Sequence, residues 1–169
     1  AGGPGTVVAI SPIYMVAGKD AATLLADTGG GWLGLANLVT GGSGVHLRVR
    51  DPAGSGDGLV GVGSLGEAVW VESGMDASAE ALATALPSTR TVLGQALPGD
   101  SNEIGLVAEY ALISMLDEDG TAAATIRSST VFAGSDNTAV LRYTWLPTAP
   151  AVADPSLTRP LERVLTTLT

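Results

Sequence analysis

Three basic side chains alternate along the segment Val45–Arg50: His46, Arg48 and Arg50. Residues at i, i+2 and i+4 of a β-strand share one face, with successive side chains about 7 Å apart. Two guanidiniums and an imidazole on one face can hold a carboxylate or a phosphate. We therefore predict a ligand-binding face for a small anionic ligand; in an enzyme, His46 would be its acid or base. The alternative is a solvated face whose arginines pair with carboxylates of the same chain.

Other chemistry is restricted by what the chain lacks. It has no cysteine and His46 is its only histidine, which excludes thiolate nucleophiles, zinc ribbons and sites with two histidine ligands from one chain. The glycines of residues 61–66 match G-x-G-x-x-G, but a strand is predicted directly after them, where a phosphate site needs a helix N-terminus. The turn-rich loop 51–58 lacks the spacing of a calcium loop. No catalytic residue, metal site or cofactor is predicted.

Composition restricts the partners further. The 169 residues are 46% hydrophobic and only 15% charged, with a net charge of −9, so a folded domain is expected and charge-driven disorder is not. Eight basic residues are too few for a non-specific nucleic-acid binder. No apolar run is long enough for a transmembrane segment. The expected partner is another protein or a small anionic ligand, in an unknown oligomeric state.

The elements around the basic face define the expected fold in the first part of the chain. Val45–Arg50 alternates with period two and is predicted to be a half-buried strand. Residues 1–44 form a less clearly defined N-terminal segment. Its expected elements are a strand from Thr6, a helix at Lys19–Ala26, and a segment at Trp32–Thr40 that fits either a helix or a strand. Short strands are predicted at Leu59–Val62 and Ala68–Glu72, and a helix from Asp76 or Ser78 to Leu86.

The C-terminal part predicts a three-stranded antiparallel meander followed by an amphipathic helix. Its expected strands are Ile104–Leu116, Thr121–Ala133 and Thr138–Leu146, and the helix is Leu157–Leu168. Leu141, Tyr143 and Trp145 are expected beneath Leu161, Val164 and Leu165. The fold class is therefore α+β, an antiparallel β-sheet with helices packed on it. Residues 1–169 are predicted to form a single domain whose core is 45–169.

The order of elements from Val45 onward, with a helix near 78–86, the meander of 103–146 and the closing helix, resembles small secreted or lipoprotein domains of actinobacteria with a Mog1/PsbP-like fold. The resemblance implies an extracytoplasmic or cell-envelope binding module with no catalytic residues to carry over.

The favoured hypothesis is therefore a non-catalytic binding or protein-interaction domain. Two alternatives stay open. One is a small-molecule binding protein or enzyme that uses the face of His46, Arg48 and Arg50. The other is a structural or assembly subunit of a secretion system or phage particle.

Overall fold

The computed structural model describes residues 6–73, 96–118, 120–134 and 140–145. The chain forms two compact units, the larger Pro12–Leu141 and the smaller Ala1–Ser11 with Arg142–Thr169. The single domain expected for residues 1–169 stays a prediction.

The described residues form five strands and five helices. In chain order these are β1 (Thr6–Ala17), α1 (Lys19–Asp27), α2 (Gly31–Thr40), β2 (His46–Arg48), α3 (Gly56–Ser73), β3 (Glu103–Ala108), α4 (Glu109–Asp117), α5 (Thr121–Ser128), β4 (Thr130–Ala133) and β5 (Val140–Trp145).

The sheet is mixed, so the fold is α+β as predicted but not fully antiparallel. Its strand order is β2-β3-β1-β4, and β5 pairs with β1. β1 runs antiparallel to both β3 and β4. β2 and β3 are parallel, with His46 opposite Glu103. The expectation of an antiparallel sheet was wrong here because the long connection between β2 and β3, which contains α3, returns the chain in the same direction.

In the larger unit, apolar side chains are buried on both faces of the sheet. One cluster joins Ile13, Met15, Leu47, Ile104 and Leu106 to helices α1, α2 and α3. The other joins Val16 and Val107 to α4 and α5. β3 is buried along its whole length because both of its faces are covered. Residues 13–39 supply much of the first cluster, so the N-terminal segment contributes to the hydrophobic core, while the division into 1–44 and 45–169 stays a prediction.

The predicted meander is wrong between residues 109 and 128. Glu103–Ala108 and Thr130–Ala133 are strands, but α4 and α5 lie between them and both strands pair with β1 rather than with each other. In α4, Ala111, Leu112 and Met115 are buried, a spacing that fits a helix as well as the alternation fitted a strand. Sequence periodicity in such a short apolar segment does not separate the two.

The other expected elements had mixed outcomes. The helix at Lys19–Ala26 is confirmed by α1, and Trp32–Thr40 is helical in α2. The two strands expected between residues 59 and 72 are wrong, because α3 covers all of them. β5 confirms a strand within Thr138–Leu146. The helices expected at 78–86 and 157–168, and the packing expected of Leu141, Tyr143 and Trp145, lie outside the described residues and side chains.

Candidate functional site

β2 and the residues that follow it carry the predicted basic face. Val45, Leu47 and Val49 are buried, as the alternation predicts. On the opposite side His46 is exposed, and Arg48 and Arg50 are half-buried. The parallel neighbour β3 and the start of α3 supply the groups that surround the two arginines.

Arg48 is bound to a carboxylate of the neighbouring strand. Its Nε donates a hydrogen bond of 2.7 Å to Oε2 of Glu103, the first residue of β3. The same oxygen accepts the backbone N–H groups of Gly99, at 2.7 Å, and Asp100, at 3.1 Å. The Glu103 side chain is 11% exposed and the Arg48 side chain 34%. Three donors on one oxygen therefore hold the carboxylate in place of water.

These donors determine the ionisation of Glu103. Burial raises the pKa of Glu103, but the hydrogen bonds from Arg48, Gly99 and Asp100 and the charge of Arg48 together outweigh burial and hold the pKa below its ordinary value. The hydrogen bond to Glu103 also raises the pKa of Arg48. Both side chains are charged at neutral pH, and the pair is neutral as a whole.

Arg50 is bound to a second carboxylate, at the start of α3. Its Nη1 lies 3.1 Å from Oδ1 and 3.3 Å from Oδ2 of Asp57, and the Asp57 side chain is only 1% exposed. Arg50 also donates to the hydroxyl of Tyr110 at 3.4 Å. Asp57 is in the first turn of α3, where the helix dipole favours a negative charge.

Glycine and a local turn bring Asp57 close to Arg50. A Cβ at Gly58 would collide with the backbone oxygen of Arg50, so the first turn of α3 can approach this strand end only because residue 58 lacks a side chain. Before the helix, Asp51 accepts the N–H of Ala53 on its side chain, at 3.0 Å, and the hydroxyl of Ser55 on its backbone oxygen, at 2.8 Å. These two hydrogen bonds make residues 51–55 a local turn that leads into α3.

The basic face is thus occupied by the chain's own carboxylates. The carboxylates neutralise the two guanidinium charges, so an anionic ligand would either bind the remaining guanidinium N–H groups of a neutral pair or displace Glu103 or Asp57, and displacement would leave a buried carboxylate without its cation. Sequence analysis did not identify either carboxylate as a partner, because Glu103 is 55 residues from Arg48 and the turn-rich pattern of residues 51–58 predicts a loop rather than a helix start at Asp57. Among the described residues there is no group of three or more histidines and acids able to hold a metal ion.

A second surface, on α3, is apolar and exposed, in contrast to the charged and paired surface at β2. Leu59, Trp70 and Val71 are 61%, 55% and 70% exposed. At about 100° per residue, Leu59 and Trp70 lie within about 20° of one another around the helix and about 16 Å apart along it. Gly63 and Glu67, both exposed, lie between them. We call Leu59, Gly63, Glu67, Trp70 and Val71 the outer face of α3.

The opposite side of α3 is buried, and we call it the inner face. Leu65, Ala68 and Val69 are buried in the cluster on the sheet. A Cβ at Gly61 would lie 3.3 Å from Cβ of Leu106 on β3, whereas a Cβ at Gly63 would meet nothing within 4 Å. The glycines of the G-x-G-x-x-G match are therefore inside a helix, one of them packed on the sheet and another facing open space. The match does not form a phosphate-binding loop, because it lies within α3; the strand predicted directly after it, on which its rejection rested, is wrong.

Neither the family models, the curated proteins nor the solved structures searched gave a match to this chain. The resemblance to Mog1/PsbP-like domains accordingly stays a prediction. Within the described residues, no helix combines the length and the apolar character needed to cross a membrane.

Proposed function

We propose that this chain is a non-catalytic binding module that contacts another protein through the outer face of α3. The observation that carries the proposal is the exposure of Trp70, at 55%, beside Val71, at 70%. Tryptophan brings the largest apolar surface of any side chain to an interface and is enriched where binding energy is concentrated.

The arrangement of the outer face supports the proposal. Single exposed apolar residues are ordinary on soluble proteins. Here two large apolar side chains, Leu59 and Trp70, lie in line along one helix, and Val71 extends the surface sideways. Large apolar side chains exposed together on one helix surface are typical of a contact site.

Gly63 provides a separate argument. Glycine in a helix interior costs about 1 kcal/mol relative to alanine, and a Cβ at this position would point into open space. Packing among the described residues therefore gives no reason for glycine at residue 63. A partner whose backbone approaches the helix between Leu59 and Trp70 would explain the glycine, because the missing side chain leaves space between two large side chains.

The anionic-ligand alternative is less well supported. Arg48 and Arg50 each satisfy a buried carboxylate, and breaking such a pair costs about 3–5 kcal/mol. A ligand that displaced either carboxylate would have to supply that energy in addition to its own binding. The ion pairs are better explained as the attachment of β3 and α3 to β2.

The proposal is tested by photo-crosslinking in the cells that make the protein. A photoreactive phenylalanine derivative replaces Trp70 in one variant and Asn37, an exposed residue of α2, in the control. We expect a discrete crosslinked protein from position 70 that is absent from position 37. Equal labelling from the two positions, or none from position 70, would contradict the proposal. Fractionation of the same cells tests separately whether the module is extracytoplasmic, as the resemblance implies.

A further inference from the structure

We infer that the partner of the outer face of α3 is a cationic amphipathic segment of another protein, in which lysine or arginine side chains contact Glu67 while apolar side chains cover Trp70 and Leu59. The inference rests on the proposed function and adds the chemistry of the partner.

The position of Glu67 carries the inference. Glu67 lies three residues before Trp70 and four before Val71 on α3, so its carboxylate borders both exposed apolar side chains on the same helix surface. α3 contains no basic residue in its sequence. Neither a salt bridge nor a hydrogen bond within the described part of the chain engages the Glu67 side chain.

A carboxylate beside an exposed indole favours a partner that carries a positive charge. A lysine or arginine placed between the two gains an ion pair with Glu67 and a cation–π contact with the face of Trp70. An anionic partner would oppose Glu67, and a purely apolar one would bury its charge without compensation. The acidic chain, with 17 aspartates and glutamates against 8 basic residues, attracts cationic partners at long range as well.

The same charges argue against a second copy of this chain. A symmetric dimer formed by two outer faces would set Glu67 near its own copy in an interface between two chains that each carry a net charge of −9. An anionic lipid surface is also disfavoured as the partner, because its charge would repel Glu67 and the net negative charge of the chain.

The test uses the full chain labelled with nitrogen-15 and two synthetic helical peptides of the same length. One peptide has leucine on its apolar face and lysine on its polar face, and the other has glutamate in place of lysine. The indole N–H resonance of Trp70, assigned from its loss in Trp70→Phe, reports binding. We expect a saturable shift of this resonance with the lysine peptide and little or none with the glutamate peptide.

Glu67→Gln and Glu72→Gln form the matched pair of variants. Both remove one exposed carboxylate from α3, but at 100° per residue Glu67 lies about 60° from Trp70 around the helix and Glu72 about 160°. We expect Glu67→Gln to weaken the lysine peptide roughly three- to fivefold, as for an exposed ion pair, and Glu72→Gln to weaken it less. Raised salt should reduce the difference between the wild type and Glu67→Gln.

Several results would overturn the inference. These are equal binding of the two peptides, equal effects of the two glutamine variants, a shift of the Trp32 resonance in place of Trp70, and a concentration-dependent dimer that Trp70→Ser dissolves. If Trp70 crosslinks to a protein in cells but the lysine peptide does not bind, the cationic partner is wrong while the protein-binding function stands. If no protein crosslinks at Trp70, both are wrong.

Discussion

Helices α2 and α3 cover the same face of the sheet and pack against each other, yet their tryptophans have opposite environments. Trp32 in α2 is 4% exposed and Trp70 in α3 is 55% exposed. α2 contacts both α1 and α3, and most of its apolar side chains are buried. α3 buries its inner face, through residues such as Leu65 and Val69, and leaves its outer face in solvent. The two tryptophans therefore differ in burial because one lies on the packed face of its helix and the other on the outer face, and the exposed tryptophan is where a partner is expected.

The largest expected effect compares the two tryptophans directly. Trp32→Ala should lower the free energy of unfolding by about 3–5 kcal/mol because it removes a large buried side chain. Trp70→Ala should change it by no more than about 0.5 kcal/mol. Urea denaturation of both variants measures the difference. A cost for Trp70→Ala close to that of Trp32→Ala would mean that the outer face of α3 is covered within the chain itself.

The next effect concerns how α3 is attached. Asp57→Ala should cost about 3 kcal/mol, because it leaves the half-buried guanidinium of Arg50 without its carboxylate. The control is Asp27→Ala, an exposed aspartate at the end of α1, for which a change within about 0.5 kcal/mol is expected. Urea denaturation measures both. Equal effects would show that the Arg50–Asp57 pair does not hold the start of the helix.

A smaller effect, with a pH dependence, concerns β2, which connects α2 to α3. Glu103→Gln should cost about 2 kcal/mol at neutral pH, since it removes the charge that accepts three hydrogen bonds. The pKa of Glu103 is lower in the folded protein than its ordinary value of 4.5. Its stabilisation is therefore present above that value and lost as the pH falls below it.

Denaturation curves of the wild type and Glu103→Gln across the acid range test this sign. The difference in unfolding free energy should be constant at neutral pH and shrink below the ordinary pKa of a glutamate. A difference that grows on acidification would contradict the assigned direction.

The smallest effect compares two glycines of α3. Gly63→Ala should stabilise the chain by about 0.5–1 kcal/mol, because alanine is the better helix former and the new Cβ meets nothing. In Gly61→Ala the Cβ presses on Leu106, so this variant should be about 1–2 kcal/mol less stable than Gly63→Ala. Thermal unfolding measures both. Equal stability would mean that the inner and outer faces are not distinguished as described. Gly63→Ala should also weaken the lysine peptide if the partner approaches the helix closely.

The sequence predicted those elements in which one periodicity had no competitor. The alternation of Val45–Arg50 correctly separated buried from outward side chains, and the helix at Lys19–Ala26 was found. Between residues 109 and 128, apolar residues fit both period two and the helical repeat, and the choice of strands was wrong. In α3, valine and glycine are poor helix formers, yet burial of Leu65, Ala68 and Val69 on the sheet outweighs their propensity.

The candidate sites were likewise predictable only in part. His46, Arg48 and Arg50 were identified as a basic face from their spacing, and the structure places them on the outward side of β2. The carboxylates that bind the two arginines were missed, because each partnership depends on where a distant or misassigned segment lies. Trp70 was predicted to be in a strand, so its exposure beside Glu67 was not foreseen. The exposed residues of a helix can be identified only after the residues that it buries are known.

The sequence by itself determined the α+β class, the absence of cysteine chemistry and the two faces of β2, because composition and local period depend only on neighbours in the chain. Only the tertiary structure decided that β2 runs parallel to β3, that Arg48 and Arg50 are bound by Glu103 and Asp57, and that Trp32 of α2 is buried while Trp70 of α3 is exposed. These features depend on which segments meet in space. Burial and charge pairing are energies of contact, and a contact between residues 55 apart, such as that of Arg48 with Glu103, leaves no local pattern in the chain.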